Sequence, residues 1–558
     1  MGVKMGLRKK ETSFSRGRLP KNNRNSFAAN AGIITYILLL GMRIPLSGMI
    51  GEAGVGLLAP AFELYMLTAL LFAYGISRTM TGLIRYRIKR GQYKNAGKVF
   101  RTSLQISLFF GCFIALITAV LSDFLATDAF LEAMSRKAVL AAAPIVILSA
   151  VISVFRGHFN GNGFGPLVVY SQYIEKIAML AAGIAGGRLY YQYGQKVSAL
   201  LKNDMAACAY GAQGVMFGIM AAELITLIYL LVVYVLLSGS LKTQMMQDGG
   251  RRMESKGEIA GMLLGNGLPM GLFILLSNSF MMLDQRFFNF CMNRKEQGDI
   301  RTAAWGAYYG KYAVLIGIGT ALVCLAVHPS VGKIAASYDR EEYRMMRERV
   351  GLAVKKACVV AFPAAVILAV LAGSFVAGLY QGEDEEAVRA VRQGTMVVFF
   401  YGTAYLFGQI MLKIRMTKEL LFCLAVAFAV HAAAAFLFVQ KGLLGMDGIV
   451  YSLILYTGVL AVSMFVLVSR RIGYKQEWIY SFVFPAGAAA VSGLAVMLID
   501  KILFALIGPL PSLLISGLVG MIFYMVIVIL LHVVNEGELA EMPLGGLWVA
   551  IGRLFGVL

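Results

Sequence analysis

The sequence has little of what metal centres, disulfide scaffolds and soluble catalytic domains are built from. Its 558 residues include six cysteines and four histidines, and only 15% of the residues are charged. The cysteines are scattered without a CxxC pair and the histidines are not spaced as ligand pairs, so we expect no metal and no cofactor. The acid-rich segment Gln381–Glu386 has no accompanying histidine, which argues against an enzyme with catalytic acids in an aqueous loop.

Long apolar segments dominate the chain instead. Hydrophobic residues make up 59% of it, and about 20 mainly apolar residues suffice to cross roughly 30 Å of hydrocarbon. Fourteen segments meet this requirement, near 28–50, 59–82, 103–122, 137–156, 167–187, 213–238, 259–283, 306–328, 357–379, 394–412, 420–440, 448–469, 478–499 and 512–534. We therefore predict an all-α integral membrane protein with about 14 transmembrane helices.

The charge between these segments alternates and predicts their orientation. Eight Lys and Arg residues precede the first segment, seven lie in Arg85–Arg101 and seven in Lys333–Lys356, whereas Ser122–Glu132 carries acids and no base. Because Lys and Arg concentrate on the cytosolic side, both termini are expected in the cytosol. The net charge of +21 then reflects topology and contact with anionic membrane lipids, and no nucleic-acid partner is expected.

A weak internal repeat indicates two halves of parallel orientation. In Tyr65–Phe100 an apolar segment precedes a basic stretch, and Tyr312–Val354 repeats that order, so that Tyr93 corresponds to Tyr343. Parallel repeats around a central cavity are common in transporters. The longest outer loop is expected at Gly187–Ala212. The predicted organisation is a basic cytosolic segment at 1–27, a six-helix bundle at 28–240, a cytosolic linker at 241–258, a second six-helix bundle at 259–440 or 259–469, two additional helices at 470–534 and a cytosolic tail with an interfacial helix at 535–558.

Seven charged residues inside the apolar segments are the default functional candidates, because a charge at membrane depth costs roughly 2.5–3.5 kcal/mol on insertion scales. They are the cations Arg43, Arg78, Lys176 and Lys311 and the acids Glu63, Glu175 and Glu223. The excess of cations favours an anionic substrate, with Arg43, Arg78 and Lys311 as its binding candidates. The acids are candidates for counter-charges or for sites of a coupling ion, H⁺ or Na⁺.

Arg43 is followed by Pro45, which cannot continue the helical hydrogen-bond ladder and should kink the first segment. Arginine presents a planar fork of five donors that suits phosphate. A phosphate contact in a central cavity and a side chain that snorkels to the outer interface are both open interpretations. For Arg78, near the inner end of its segment, snorkelling is favoured. Lys311 lies among glycines that permit close helix contact.

Two further charged positions need an interpretation. Glu175 and Lys176 are adjacent and therefore point to different faces of a helix, so they are not expected to pair with each other. Asp284 closes the seventh segment in NSFMMLDQRFF. It faces a cavity mouth, as a candidate for ion coupling or counter-charge, or it marks the membrane interface, which is the favoured interpretation.

The connection between the fourth and fifth segments is a tight turn in FRGHFNGNGFGPLVVYSQYIEK. Its glycines allow unusual dihedral angles, and Pro166 can open the next helix. The sequence resembles the Arg-Gly-x-Phe-x-Gly, Pro, Ser-Gln-x-Ile-Glu segment of stage V sporulation protein B-like polysaccharide exporters. Weaker matches in the same order include Pro269, Pro363 and the tail at 538–543. The residues expected to form structural turns or hinges are Pro45, Arg156, Gly157, Gly161, Pro166, Pro269 and Pro363. The turn positions that match are Arg156, Gly157, Phe159, Gly161, Pro166, Ser171, Gln172, Ile174 and Glu175.

This resemblance implies a fold and a function. The exporters are part of the multidrug/oligosaccharidyl-lipid/polysaccharide exporter superfamily and look like lipid II flippases of the MurJ type. The implied fold is a V-shaped pair of six-helix bundles around a cationic cavity, with two further helices. The implied substrate is an undecaprenyl-pyrophosphate-linked saccharide, moved to the outer leaflet of the bacterial cytoplasmic membrane with Arg43 at the pyrophosphate. The chain departs from the family pattern at Gly408, Gln409 and Ile410 and in the position of Arg78, which leaves the substrate open.

Two alternatives also remain open. A cation-coupled multidrug or metabolite antiporter of the related type would have twelve membrane segments and an acidic cavity. A non-transporting scaffold of a cell-wall synthesis complex would tolerate neutralisation of all seven embedded charges. The sequence does not distinguish roles in growth, capsule synthesis or sporulation.

Overall fold

The computed structural model describes residues 21–540 and 545–554, apart from 247, 249–252 and 383. About 90% of the described residues are helical, and none of them lies in a strand. The helices are α1 (Lys21–Gly41), α2 (Arg43–Leu70), α3 (Arg78–Lys89), α4 (Tyr93–Val120), α5 (Ser122–Phe124), α6 (Arg136–Gly161), α7 (Gly165–Leu201), α8 (Met205–Met246), α9 (Lys256–Asn278), α10 (Phe280–Arg294), α11 (Gly298–Ala307), α12 (Ala313–Asp339), α13 (Tyr343–Val370), α14 (Ala372–Tyr380), α15 (Glu385–Gly394), α16 (Met396–Lys413), α17 (Thr417–Ala435), α18 (Met446–Ile472), α19 (Phe484–Ile507), α20 (Pro509–Leu530), α21 (Glu536–Ala540) and α22 (Gly545–Leu554). Wider π-helical turns lie at Leu71–Ser77, Leu125–Ala129, Tyr308–Tyr312, Phe436–Lys441 and Ile479–Val483.

The predicted multi-pass membrane fold is confirmed. Thirteen helical stretches among the described residues are long and apolar enough to cross a membrane, and the first of them, Asn30–Lys89, has 60 residues. At 1.5 Å per residue such a stretch is about 90 Å long, far more than one crossing of roughly 30 Å needs. The backbone leaves the helical conformation inside it at Gly51, with φ 74° and ψ 167°, so the first stretch holds the first two predicted segments. About 14 crossings result.

The prediction of an outer loop at Gly187–Ala212 is wrong, because helix occupies most of this segment. Helices α7 and α8 have 37 and 42 residues and are separated only by residues 202–204. The sequence prediction ended each helix where hydropathy falls, but a helix continues past the membrane when its partner keeps its apolar face covered. A small residue permits that contact, since a Cβ at Gly194 of α7 would lie 2.9 Å from the Cα of Ala207 in α8.

The positions paired by the internal repeat have matching local structure. Helices α4 and α13 begin at Tyr93 and Tyr343, and each has 28 residues. Each follows a short turn whose residue at the equivalent position is left-handed, Gly91 with φ 71° and Glu341 with φ 59°. This correspondence favours the two-half organisation. We call the membrane side with these turns the basic face, after Arg85–Arg101 and Lys333–Lys356, and the other side the opposite face.

The turn motif joins α6 to α7 through residues 162–164, and Pro166 lies in the first turn of α7. Arg156 holds the two helices together, since its Nε donates to Ser171 Oγ at 2.9 Å and its guanidinium pairs with Glu175. The motif residues Arg156, Ser171 and Glu175 therefore form one contact across the turn.

The glycines of the motif let α6 approach α3 closely. A Cβ on Gly157 would lie 2.7 Å from Ser77 Oγ and 2.8 Å from the Ser77 carbonyl oxygen, and one on Gly161 would lie 2.7 Å from an Ile84 methyl. Thr81 Oγ1 uses the proximity by donating to the Gly157 carbonyl at 3.0 Å. Small residues at helix contacts are typical of membrane proteins, where packing replaces the hydrophobic effect.

Pro363 attaches the last two membrane helices to the rest of the protein. A proline removes the hydrogen bond to the carbonyl four residues earlier, which here is Val359. The buried hydroxyl of Tyr524 in α20 donates to that Val359 carbonyl at 2.9 Å. A residue expected to be a hinge is thus a docking point between α13 and α20.

The expected interfacial helix of the tail is α22, but it also contacts protein. Trp548 is buried in a cluster with Val533, Val534 and Leu539, and Arg553 forms a 2.5 Å ion pair with Glu536. Glu538 of the tail motif pairs with Lys355 of α13 at 2.8 Å. The end of the motif at 541–543 lies outside the described residues.

Replacement of Gly157 by alanine is expected to destabilise the protein, because the added methyl group meets Ser77 in a packed contact. Overpacking of this kind costs roughly 1–3 kcal/mol. Gly82→Ala on the neighbouring α3 is the matched control, since a Cβ there meets nothing within 4 Å and alanine is the better helix former. Thermal unfolding in detergent should show a lower Tm for Gly157→Ala only. Equal Tm values for both variants would contradict the close contact.

Candidate functional site

The two halves of the chain contact each other tightly at the opposite face. Helix α2 packs on α11 so closely that a side chain at Gly56 would overlap the Thr302 carbonyl, and one at Gly306 would overlap the Glu52 carbonyl. The acidic connection between α4 and α6, residues 121–135, also contacts α11 on this side. Glu132 accepts from Thr302 Oγ1 at 2.6 Å and pairs with Arg301 at 3.3 Å. The protein is therefore closed on this side.

Arg43 lies at the centre of this closed end. The helix break between α1 and α2 precedes it directly, where Pro45 removes the hydrogen bond to the Gly41 carbonyl. Its guanidinium donates to the Tyr309 hydroxyl at 2.7 Å and to the Tyr309 carbonyl at 3.2 Å, and it lies 3.6 Å from the centre of the Tyr309 ring. Glu63 accepts from the same hydroxyl at 2.6 Å and lies 3.7 Å from the guanidinium. Arg43 is buried and therefore does not snorkel.

Lys311, two residues beyond Tyr309, makes a second polar contact between the halves. Its ammonium pairs with Glu52, the residue after the break at Gly51 in α2, and, at 2.8 Å, with Asp384. Asp384 also accepts from the backbone N–H of Ala387 and caps α15. Burial raises the pKa of Tyr380, so its hydroxyl stays protonated and donates to the Gly310 carbonyl at 2.6 Å.

These side chains form two neighbouring networks, one around Arg43 and one around Lys311, which are joined through the backbone of residues 309–311 and which we together call the gate cluster. It spans both halves and holds two cations against three acids, so its cations are already neutralised. The structure thus brings together the predicted residues Arg43, Glu63 and Lys311, as contacts that close the opposite face. The members of the gate cluster are Arg43, Glu52, Glu63, Tyr309, Lys311 and Asp384.

The other predicted acids of the first half lie in a separate buried cluster. Glu175 pairs with Arg156 and also with Lys176, so the expectation that these neighbours would not pair is wrong. The long lysine side chain folds back along the helix to reach the carboxylate. Glu223 accepts from the Tyr65 hydroxyl at 2.5 Å, and its second oxygen has no hydrogen-bond partner among the described residues.

Asp284 lies in the interior of the second half, not at the membrane interface, so the favoured interpretation is wrong. The helix continues past it to Arg294. Asp284 and His431 are both fully buried and are 2.9 Å apart. The other nitrogen of His431 lies 3.2 Å from the Ser452 carbonyl, and the second oxygen of Asp284 has no hydrogen-bond partner among the described residues. A buried acid and histidine at membrane depth can hold or release a proton.

Exposed tyrosines on both halves mark the space between the gate cluster and the basic face, which we call the cleft. Tyr36, Tyr74 and Tyr401 are 45%, 38% and 37% exposed. Arg78 is exposed one turn from Tyr74 and, among the described residues, forms no ion pair. Of the four cations predicted from the sequence, Arg78 is therefore the one available to a ligand without breaking an internal contact.

Sequence reasoning missed the partners that make these clusters. Tyr309 stands in the same glycine-rich sequence as Lys311, and its hydroxyl was not counted because tyrosine carries no charge. His431 is a single histidine in an apolar segment. As an ionisable group at membrane depth, it could have been added to the seven candidates.

Comparison with known proteins agrees with the fold and the turn motif. Residues 25–211 match the family model of polysaccharide biosynthesis proteins. Stage V sporulation protein B of Bacillus subtilis (strain 168) is 27% identical over 209 residues, which is 37% of this chain and 37% of that protein. The chain thus aligns with little more than a third of this curated relative.

Two solved structures extend the likeness to most of the chain. The lipid II flippase MurJ in an inward closed conformation has a TM-score of 0.62 at 13% identity, covering 89% of this chain and 96% of that one. An inward-facing multidrug resistance MATE family transporter of the MOP superfamily has a TM-score of 0.55 at 17% identity, covering 79% and 94%. The chain therefore shares its fold with these two transporters, and the resemblance of residues 25–211 to polysaccharide biosynthesis proteins is confirmed.

Proposed function

We propose that this protein moves a saccharide linked to a lipid through a pyrophosphate across the bacterial cytoplasmic membrane by alternating access. The proposal depends mainly on the position of Arg43, whose guanidinium lies between the two halves at the closed end of the cleft. The charge bias of the sequence makes the basic face cytosolic. The headgroup enters the cleft from the cytosol while the lipid tail stays in the bilayer. The protein binds and reorients its substrate without chemical change, so no enzymatic step or cofactor is required.

The contacts of Arg43 suggest how a pyrophosphate would open the opposite face. The guanidinium stacks on Tyr309 and faces Glu63 at 3.7 Å, and its Nε has no hydrogen-bond partner among the described residues. A pyrophosphate offers the bidentate oxygens that arginine prefers. It would take the place of Glu63 and Tyr309 and so weaken the contact between the halves. A ligand shifts such an equilibrium only by binding one state more tightly, and the open state would bind the freed Arg43.

Two features favour this function over a multidrug antiporter. Helices α19 and α20 follow the twelve crossings that such an antiporter would have, and α20 is anchored by Tyr524. The flippase structure also covers more of this chain, 89% against 79%. Arg78, exposed in the cleft, supports an anionic substrate.

We assign ion coupling to Asp284 and His431, and assign Glu63 the role of counter-charge to Arg43. Protonation of His431 gives an ion pair, whereas loss of that proton leaves a buried carboxylate opposite a neutral ring. The two states differ in the attraction between α10 and α17, which carry these residues. The proposed coupling ion is therefore H⁺. Glu175 and Glu223 serve as counter-charges that hold the first half together.

Arg43→Ala is expected to lower the flipping rate of a fluorescent lipid II analogue at least about tenfold, which corresponds to about 1.4 kcal/mol. The loss follows because both the substrate contact and the gate cluster lose their central cation. Arg43→Lys should restore part of the rate, since it keeps the charge without the planar fork. The assay is flipping in proteoliposomes, followed by quenching of analogue that reaches the outer leaflet.

Arg188→Ala is the control, because Arg188 is an exposed cation of α7 that lies outside the cleft. Its rate should match that of the unchanged protein. A normal rate for Arg43→Ala would remove the proposed substrate contact.

Asp284→Asn is expected to make flipping insensitive to a transmembrane pH gradient while binding of the lipid II analogue is kept. The carboxamide keeps the size of the side chain but does not titrate. Flipping is measured in liposomes with an imposed pH gradient or an imposed Na⁺ gradient. Asp500→Asn is the control, since Asp500 is an embedded acid of α19 that accepts from Ser374 and Ser512 outside this pair. A response of the unchanged protein to Na⁺ alone would contradict proton coupling.

A further inference from the structure

The wall of the cleft on the second half is a polar aromatic stripe on α16. Helix α16 is packed against α12, α13, α17 and α18 of the second half, and the face that carries Tyr405 is turned toward Ile33 of α1 in the first half. Tyr401 is exposed on that face, and Tyr405 and Gln409 follow it at intervals of four residues with partial exposure. Residues four apart share a helix face, so these three side chains line the cleft together.

Tyrosines of the first half lie across from this stripe. Tyr405 packs against a cluster that joins Ile33 of α1 to Ala321 and Cys324 of α12. Tyr36 and Tyr74 are near enough to Tyr401 that a charge on one ring would act on the other. The Tyr36 hydroxyl lies 3.6 Å from the position that a Cβ on Gly317 of α12 would occupy. Rings from α1, the Leu71–Ser77 turn and α16 therefore surround one space, and proximity across the halves excludes a location on the lipid-facing surface.

The polar groups of this space are mostly neutral. The Tyr405 hydroxyl is held by His328 at 2.5 Å, while the amide of Gln409 has no hydrogen-bond partner among the described residues. Arg78 lies at the basic end of this space, and Arg43 lies at the closed end together with its counter-charge Glu63. A pocket of aromatic faces with a few polar groups orients a ligand by stacking and hydrogen bonds.

We propose that Tyr36, Tyr74, Tyr401, Tyr405 and Gln409 form the subsite that binds the sugar rings of the substrate. This inference rests on the proposed function and adds which part of the headgroup each region recognises. The C–H face of a pyranose is weakly positive and fits the electron-rich face of an aromatic ring, and its hydroxyls pair with the Gln409 amide. Tyr36 lies seven residues from Arg43 along the first crossing, about 10 Å at 1.5 Å per residue. A sugar attached to a phosphate at Arg43 reaches that distance.

The test compares binding of undecaprenyl pyrophosphate, which has no sugar, with binding of lipid II by the full chain in nanodiscs. The unchanged protein should bind lipid II at least about tenfold more tightly. Tyr401→Ala and Tyr74→Ala should each reduce this ratio about threefold to tenfold, the range expected for losing one aromatic contact. Tyr401→Phe keeps the ring and should keep the ratio, which also separates stacking from misfolding. Tyr170→Ala, at an exposed tyrosine of α7 outside the cleft, is the matched control.

The outcomes separate the subsite from the proposed function. Equal affinity of the unchanged protein for both lipids, with loss of both in Arg43→Ala, would overturn the sugar subsite and leave the pyrophosphate contact in place. A tyrosine variant that weakens both lipids equally would also overturn it. Failure of the unchanged protein to bind either lipid would remove the proposed function together with the subsite. The subsite is supported if Tyr401→Ala and Tyr74→Ala reduce the affinity ratio while Tyr401→Phe and Tyr170→Ala keep it.

Discussion

The guanidinium of Arg43, stacked on Tyr309 and facing Glu63, joins the two halves where the chain is closed. Inside a membrane this cation needs partners, because an uncompensated charge at that depth is costly. Glu63 on the same helix supplies the counter-charge, and Tyr309 of the second half contacts both charged groups through its hydroxyl, so closure of the opposite face is built on this neutralised pair. Lys311 repeats this arrangement nearby with Glu52 and Asp384. The remaining embedded acids are paired within one half, so movement of the halves would disturb the gate cluster and the ion pair between Glu132 and Arg301.

Much of the fold could be predicted from the sequence, because hydropathy and charge bias report directly on the membrane. The crossings, the turn motif and the order of the last two helices were accessible in this way. The ends of α7 and α8 were not, since contact between two helices outside the hydrocarbon leaves no apolar run. The break between the first two crossings was also invisible, because one glycine in an unusual conformation is enough to make it.

The candidate site was predicted in part. Hydropathy located Arg43, Glu63 and Lys311 inside the membrane, but a single sequence contains no information on which distant residues meet. The adjacency of Glu175 and Lys176 led to a wrong expectation, because helix-face geometry describes the backbone and a four-carbon side chain can cross between faces. Asp284 was placed at the interface since the apolar run ends there, and its partner His431 lies 147 residues away. Pairing across such separations is a property of the fold.

The length of α7 and α8 has a mechanical consequence. At 1.5 Å per residue, α7 is about 55 Å long, roughly 25 Å more than the hydrocarbon requires. The two helices pack along their length and form a stiff hairpin that ends at residues 202–204, beyond the opposite face. A hairpin rigidly attached to the first half acts as a lever arm, so a small rotation of that half at the gate cluster becomes a larger displacement at the tip.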